Sequence, residues 1–332
     1  MDSPNAKPAI RIPAVLVAAT VTVLALVTVH LQITGLRMTF LEGDQLNRHV
    51  AVLNGTALNP WQYRILSDYV IEAIAFIPRR LHIGDAVVLT FIAVRVAQNA
   101  TVFGLAYVYF RRLSITPATA VLGLNLLALA MLQADVESDL AFSTYFDLIF
   151  YLLAALAVLS REWRAIVPLT FLAALNRETS ALIPLLPLAA FAVEPRPLRL
   201  IKTSAAAALV FVLVYASIHY AYGPRALMLG WDHQRGIELF LFNMRRYGWV
   251  RMTAMFGTLP LLAVVGYSRW PRELKAFCWL ILPVWFGVHA FTSVMTETRL
   301  FLVPLVVVIL PGCLLIDARG SAVAPNAVSD CR

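Results

Sequence analysis

Long apolar runs recur along this chain, and they leave few folds open to it. Several uninterrupted stretches among its 332 residues are about 17–25 residues long, enough to cross ~30 Å of hydrocarbon as helix. They lie near 13–33, 85–110, 115–133, 145–160, 203–222, 252–267, 276–294 and 300–316, with an interrupted run at 165–193. A soluble domain of this size could not hide so much apolar surface. Hydrophobic residues make up 60% of the chain and charged ones 14%, where ordinary globular chains have roughly 25% charged. No segments of about ten alternating residues occur, which argues against a membrane β-barrel. The expected fold is an all-α polytopic membrane protein with about eight spanning helices and a short-helix hairpin. It forms one transmembrane domain over 1–316, followed by a disordered cytoplasmic tail over 317–332.

The net charge of +8 could point to nucleic acid, but the basic residues cluster in short connections between runs. These are Lys7 and Arg11, Arg111 and Arg112, Arg161 and Arg164, Arg196, Arg199 and Lys202, and Arg269, Arg272 and Lys275. Short loops rich in Lys and Arg are retained on the cytoplasmic side of a membrane. The first run follows Lys7 and Arg11 like a signal peptide but has no small-x-small cleavage site before a soluble domain, and reads as an uncleaved anchor. Cys278, Cys313 and Cys331 form no CxxC pair or regular spacing; the first two lie in apolar runs and read as small core residues.

All the basic loops can share one side only if the 165–193 run begins and ends on that side. Within it the stretch AALNRETSALIPLL places Asn176, Arg177 and Glu178 amid apolar residues. The 11 residues from Ala165 to Leu175 make only ~16 Å of helix, too short to cross alone. The run therefore reads as a hairpin of two short or tilted helices with Asn176-Arg177-Glu178 at its outer tip. The competing form, one long tilted helix with a buried Arg–Glu pair, would reverse every later segment.

The polar outer segment 34–84 contains an amphipathic stretch at 64–78. Leu66, Tyr69, Val70, Ala73, Ile74 and Ile77 share one helical face, and Arg64, Asp68 and Glu72 recur on the other. That pattern suits a helix lying in the membrane interface. With this topology the polar clusters fall on the outer face: Glu42, Asp44, Arg48, His49, Trp61 and Arg64; Asp135, Glu137 and Asp139; the hairpin tip; Trp231, Asp232, His233 and Arg235; and Glu297 with Arg299. Polar residues at membrane depth are expensive and by default mark a functional site. Carboxylates without a Ser or Cys nucleophile constellation favour general acid–base chemistry. Arginines without a Gly-rich loop favour bidentate binding of phosphate. A site outside the cytoplasm beside lipid calls for a lipid-linked, phosphate-bearing substrate rather than a nucleotide.

At these residues the chain resembles the GT-C superfamily of polytopic glycosyltransferases. The matching stretches are Leu41-Glu42-Gly43-Asp44-Gln45 after the first span, NPWQYRIL at 59–66, Asn176-Arg177-Glu178-Thr179, and ETRLFLVPL at 297–305. The resemblance spans most of the chain through short motifs. It implies a bacterial inner-membrane enzyme with both termini cytoplasmic and its active face periplasmic. Such an enzyme moves a sugar, with inversion, from a polyprenyl-phosphate donor to a glycan, lipid or protein acceptor. Asp44 would be the catalytic base with Glu42 as substitute, and Arg177 and Arg299 would hold the lipid phosphate. Arg64, Glu178, Glu297 and His233 would contact substrate, while Trp61 and Tyr63 position sugar or lipid. One departure is the absence of the soluble domain that many larger members append.

Each residue also has a plainer reading: Asp44 as a turn aspartate after glycine, Arg64 paired with Asp68 one turn on, Arg177 and Glu178 neutralising each other, and His233 as a loop histidine. No cofactor is implied. Asp135, Glu137 and Asp139 offer hard oxygen ligands suited to a divalent metal, but three acids in alternation also make an ordinary loop. His219 and His289, inside apolar runs, read as buried hydrogen-bonded residues. The rival functions are a transporter or flippase of a phosphate-bearing lipid or small anion, and a non-catalytic membrane subunit.

Overall fold

The computed structural model describes residues 12–134, 139–191, 194–228 and 233–316. The expected tail at 317–332 lies outside them, as do Lys7, Arg11, Asp135, Glu137, Trp231, Asp232 and Cys331. Among the described residues the chain is helical, with a single β-bridge between Asn59 and Leu227. Helix is what apolar runs must adopt in hydrocarbon, because every backbone polar group then finds its partner within the segment.

Six helices are long and apolar enough to cross a membrane. They are Ala14–Leu36 (α1), Ala86–Arg112, Pro117–Ala134, Phe142–Leu159, Pro197–Tyr222 and Arg272–Thr292. The run expected at 252–267 is a bent pair, Arg246–Phe256 and Leu259–Arg269, meeting at 63°; counted as one span it makes seven. The run at 300–316 lies in the shorter apolar helix Thr298–Leu314. Between the spans lie Leu46–Leu53 (α2) and Ile65–Arg80 (α3). In chain order the next helices are Ala86–Arg112 (α4), Pro117–Ala134 (α5), Phe142–Leu159 (α6), Ile166–Asn176 (α7) and Pro197–Tyr222 (α8). Ile237–Asn243 (α9), Arg246–Phe256 (α10), Leu259–Gly266 (α11) and Arg272–Thr292 (α12) follow.

The interrupted run forms two arms rather than one long helix. Helix α7 stops at Asn176, Arg177 is extended (φ −166°, ψ 146°), and a 3₁₀ arm runs from Glu178 to Ala190. Pro184 and Pro187 explain why the second arm is not α-helical: each lacks an N–H and would strike the carbonyl four residues back. Trp163 and Arg164, before α7, line one pocket with Arg196 and Arg199, just after the second arm. The run therefore begins and ends at the same end of the bundle, as the hairpin requires.

That geometry sorts the molecule into two ends. One holds Arg112, Arg164, Arg199 and the start of α12, where the Trp270 indole donates to the carbonyl of Gly312 at 3.1 Å. The other gathers the outer segment, the hairpin tip, the end of α8 and residues 293–300. There Tyr63 donates from its hydroxyl to the Gly223 carbonyl at 2.8 Å, and Met228 N–H to the Asn59 carbonyl at 2.8 Å.

The core is continuous through α4–α6, the hairpin and the C-terminal segment. A smaller apolar cluster of Leu41, Ile71, Val88, Phe91, Val94, Leu140 and Phe142 fastens the outer segment to it. Helix α3 buries Ser67, Ile71 and Ala75 while Tyr69, Ile74, Phe76 and Ile77 are exposed. Much of its apolar face thus points away from the protein, which suits either an interfacial helix or a short lipid-facing crossing.

Candidate functional site

A cavity of about 390 Å³ opens at the end where the polar clusters meet. Five arginines line it: Arg48, Arg64, Arg177, Arg235 and Arg299. Three carboxylates join them, Asp139, Glu178 and Glu297. They come from the outer segment, the connection after α5, the hairpin tip, the loop after α8 and the turn after α12. Among the described residues cations therefore outnumber anions in a partly desolvated space, where a guanidinium stays charged and attracts anions more strongly than in water.

Asp139 is the hub. Its carboxylate accepts from Arg48 through one oxygen and from Arg299 through the other. Arg48 also donates to Gln45 at 2.7 Å, and Arg299 to Glu297 at 2.9 Å. Burial by itself would raise the Asp139 carboxyl, but the two guanidiniums outweigh it and hold the group well below the usual carboxylate range. A metal at Asp139 would have to displace both arginines, and no metal-ligating cluster of three occurs among the described residues.

Trp61 forms the aromatic wall. Guanidinium carbons of Arg48, Arg64 and Arg299 lie 4.1, 5.5 and 6.0 Å from its ring centroid, within cation–π range. Its indole N–H points at Met228 Sδ, 3.2 Å away.

The hairpin tip is held by α6, which answers why a cation and a carboxylate interrupt an apolar run. Asn176 donates its amide to the Ser143 carbonyl at 2.8 Å, and Arg177 donates to Thr144 Oγ1 at 2.9 Å. Thr179 donates to Asp147 Oδ2 at 2.5 Å, and Tyr151 to the Thr179 carbonyl at 2.6 Å. Ser180 Oγ closes the tip on the Arg177 carbonyl at 2.6 Å. Arg177 and Glu178 form no direct ion pair among the described residues. Glu178 instead receives a forked pair from Arg64, whose Nε lies 3.1 Å from Oε2 and whose Nη2 bonds Oε1.

That fork overturns the expected Arg64–Asp68 pair. The break between the 3₁₀ turn Trp61–Tyr63 and α3 turns Arg64 toward the hairpin, across 114 residues of sequence. Asp68 faces His49 instead, Oδ1 at 2.9 Å from Nδ1, while Glu72 lies 3.3 Å from Nε2. His49 is almost wholly buried there and sets its ring edge against Phe91.

The other expected site residues fall outside the lining. Glu42 and Asp44 are exposed on the π-helical turn Leu41–Gln45. Neither lines the cavity, although Phe40 and Arg48, four residues to either side of Asp44 in sequence, both do. Tyr63 stacks on His219 with centroids 3.8 Å apart and braces the end of α8. His233 pairs with Glu238 at 2.9 Å and packs on Phe242. His289 is buried, its Nδ1 2.8 Å from the Trp285 carbonyl, and His219 is half-buried against the Tyr215 carbonyl, as expected of helix histidines.

Sequence reasoning missed Asp147. It is fully buried one turn beyond Thr144, inside the apolar run 145–160, where only its charge marked it. A polar layer also lies in the core behind the cavity. Gln32 donates to the Tyr145 hydroxyl at 2.8 Å, Asn99 to Thr28 at 2.8 Å, and Gln98 to the Phe142 carbonyl at 3.0 Å. Arg95 is fully buried with its guanidinium 3.6 Å from the Tyr145 ring centroid. Comparison with protein-family models, with curated proteins and with solved structures finds no match to this chain.

Proposed function

We propose that this protein is a membrane glycosyltransferase that takes a sugar from a polyprenyl-phosphate carrier and passes it to an acceptor outside the cytoplasm. The observation that carries the reading is the convergence of Arg48, Arg64, Arg177, Arg235 and Arg299 on one open cavity. Among the described residues, five guanidiniums against three carboxylates leave an excess of cation suited to a phosphate or pyrophosphate. Trp61 offers a flat apolar face of the kind on which a sugar ring stacks. The GT-C-like arrangement and an eight-crossing topology, with the basic connectors cytoplasmic, belong to the same reading.

The roles divide by geometry. Arg177 projects from a tip anchored on α6, and its position is fixed before substrate arrives, which lowers the ordering cost of binding. Arg64 and Arg299 are each partly occupied by a carboxylate that an incoming phosphate would share or displace. Asp44, exposed on the turn between the lining residues Phe40 and Arg48, and Glu297 in the wall are the two carboxylates assigned to take a proton from an acceptor hydroxyl. Asp139 is bound by two arginines and serves to position them.

The transporter reading draws on the buried layer of Arg95, Gln98, Asn99, Gln32 and Thr28, which continues from the cavity toward mid-bundle. Beyond Asn99, α4 buries Val102, Phe103, Ala106 and Phe110, and its one buried polar side chain there, Tyr109, is taken up by the Val307 carbonyl at 2.8 Å, so the polar layer stops about halfway. A transport path would need to continue.

The test is sugar transfer by purified protein in liposomes, with labelled polyprenyl-phosphate sugars and a periplasmic acceptor extract. Transfer should be lost on replacing the base, Asp44→Asn or Glu297→Gln, while donor still binds. Undiminished transfer in both variants removes the acid–base assignment. Donor release without transfer to any acceptor favours the transport reading.

A further inference from the structure

The hairpin leaves a second charged feature at the opposite end of the bundle. A pocket of about 610 Å³ lies where the start of α7 meets the start of α8. Arg164, Arg196, Arg199 and Lys202 line it with Trp163 and Thr203, and no carboxylate does. All four cations are exposed, and none forms an ion pair or side-chain hydrogen bond among the described residues. Glu162 and Glu194 are near in sequence but line no part of it.

The placement of these charges is unfavourable on its own terms. Arg196 caps the N-terminus of α8, and Arg199 and Lys202 follow within two turns, with no acidic residue in the first turn. The positive end of a helix dipole disfavours cations. Three of them there, facing Arg164 across the pocket, repel one another and the helix end together. A bound anion would relieve both terms.

The surroundings point to the source of that anion. Leu198 and Ile201 alternate with Arg199 and Lys202, and they are 61% and 48% exposed. Helix α8 is poorly covered by the rest of the protein along its apolar window. The pocket thus opens at the border of a lipid-facing surface, where basic residues between helices take acidic headgroups. It is also far from the arginine cavity: α8 is 26 residues long, about 39 Å, and its other end meets Tyr63.

We propose that this pocket binds the phosphate headgroup of an anionic phospholipid, seated among Arg164, Arg196, Arg199 and Lys202, with its acyl chains along Leu198 and Ile201. The inference is independent of the chemistry proposed for the arginine cavity. A bound headgroup would fix the end of the hairpin against α8.

The test uses the full chain in non-ionic detergent, with phosphatidylglycerol titrated in and bound lipid counted by native mass spectrometry. Phosphatidylcholine and inorganic phosphate form parallel arms. The site variant is R199Q/K202Q, and the control is R112Q/R269Q, which removes equal charge from exposed arginines elsewhere at that end. Phosphatidylglycerol should bind the site variant about 30-fold more weakly than wild type, the factor that about 2 kcal/mol gives for two cations at the surface. The control should stay within about twofold, and phosphatidylcholine should bind poorly throughout. Because Arg199 and Lys202 have no partners, the site variant should elute as a single species like wild type. Equal weakening in both double variants would overturn the proposal, as would phosphatidylcholine binding as well as phosphatidylglycerol. Displacement of lipid by inorganic phosphate would identify a site for a soluble anion and overturn the lipid assignment.

Discussion

Replacing Asp139 with asparagine should destabilise the protein more than any other change at the cavity that conserves volume. The substitution leaves the side chain's size but removes the charge between Arg48 and Arg299. Breaking a buried ion pair by removing one partner costs about 3–5 kcal/mol, because the remaining charge is left uncompensated. Arg48 retains its bond to Gln45 and is 22% exposed in its side chain, and Arg299 retains Glu297. The lower end applies, about 3 kcal/mol. Adding Arg48→Gln removes the surplus cation, and the double variant should recover at least half of that loss. Unfolding titrations in mixed micelles would measure all three proteins. The pH dependence has a defined sign. The folded carboxyl titrates below its unfolded value, so its stabilisation is complete above about pH 4 and fades as pH falls through the folded value. Wild type and Asp139→Asn should therefore keep a constant gap above about pH 4 and converge as pH falls below it. A loss under about 1 kcal/mol at pH 7, or a gap that does not narrow below pH 4, would show that Asp139 is not a buried hub.

Other side chains carry expectations of their own. Gly312→Ala should destabilise strongly, since its Cβ would fall 2.1 Å from Trp270 Cζ2; thermal unfolding should show a decrease of at least about 2 kcal/mol. Trp61→Ala removes the ring that three guanidiniums face and should lower stability in thermal unfolding by about 1.5–3 kcal/mol, at about 0.5–1 kcal/mol for each cation–π pair removed. Thr179→Val removes the hydrogen bond that seats the hairpin tip on Asp147 and should lower stability by about 1 kcal/mol in thermal unfolding.

Six of the apolar runs were readable as long helices because hydropathy at lengths near 20 residues has one physical outcome in a bilayer. The expected orientation rests on Arg111, Arg164 and Arg199, and it requires a hairpin at 165–193, where the structure has two short arms. Asn176, Arg177 and Glu178 stood out in the sequence, since nothing apolar explains them. What the sequence could not supply was pairing. Arg48 and Arg299 meet Asp139 across 91 and 160 residues, and no local rule ranks such partners. The Arg64–Asp68 expectation failed for that reason: one helical turn was the nearest partner in sequence, but a forked pair with Glu178 was available in space. Asp147 was missed because an apolar run of its length reads as a span whether or not one carboxylate lies within it. The second hairpin arm was readable as short, and Pro184 with Pro187 could have marked it as 3₁₀.

If the arginine cavity holds the phosphate of a lipid-linked donor, donor binding will reveal it more plainly than turnover. Purified wild type and Arg177→Ala would be titrated with a short-chain polyprenyl phosphate at several salt concentrations. Wild type should bind with an affinity that falls as salt rises, and Arg177→Ala should bind at least tenfold more weakly while remaining folded, as expected on removing a charge-assisted hydrogen bond worth about 1.5–3 kcal/mol. Equal binding by the two proteins, or binding indifferent to salt, would mean that the cavity does not hold a lipid phosphate.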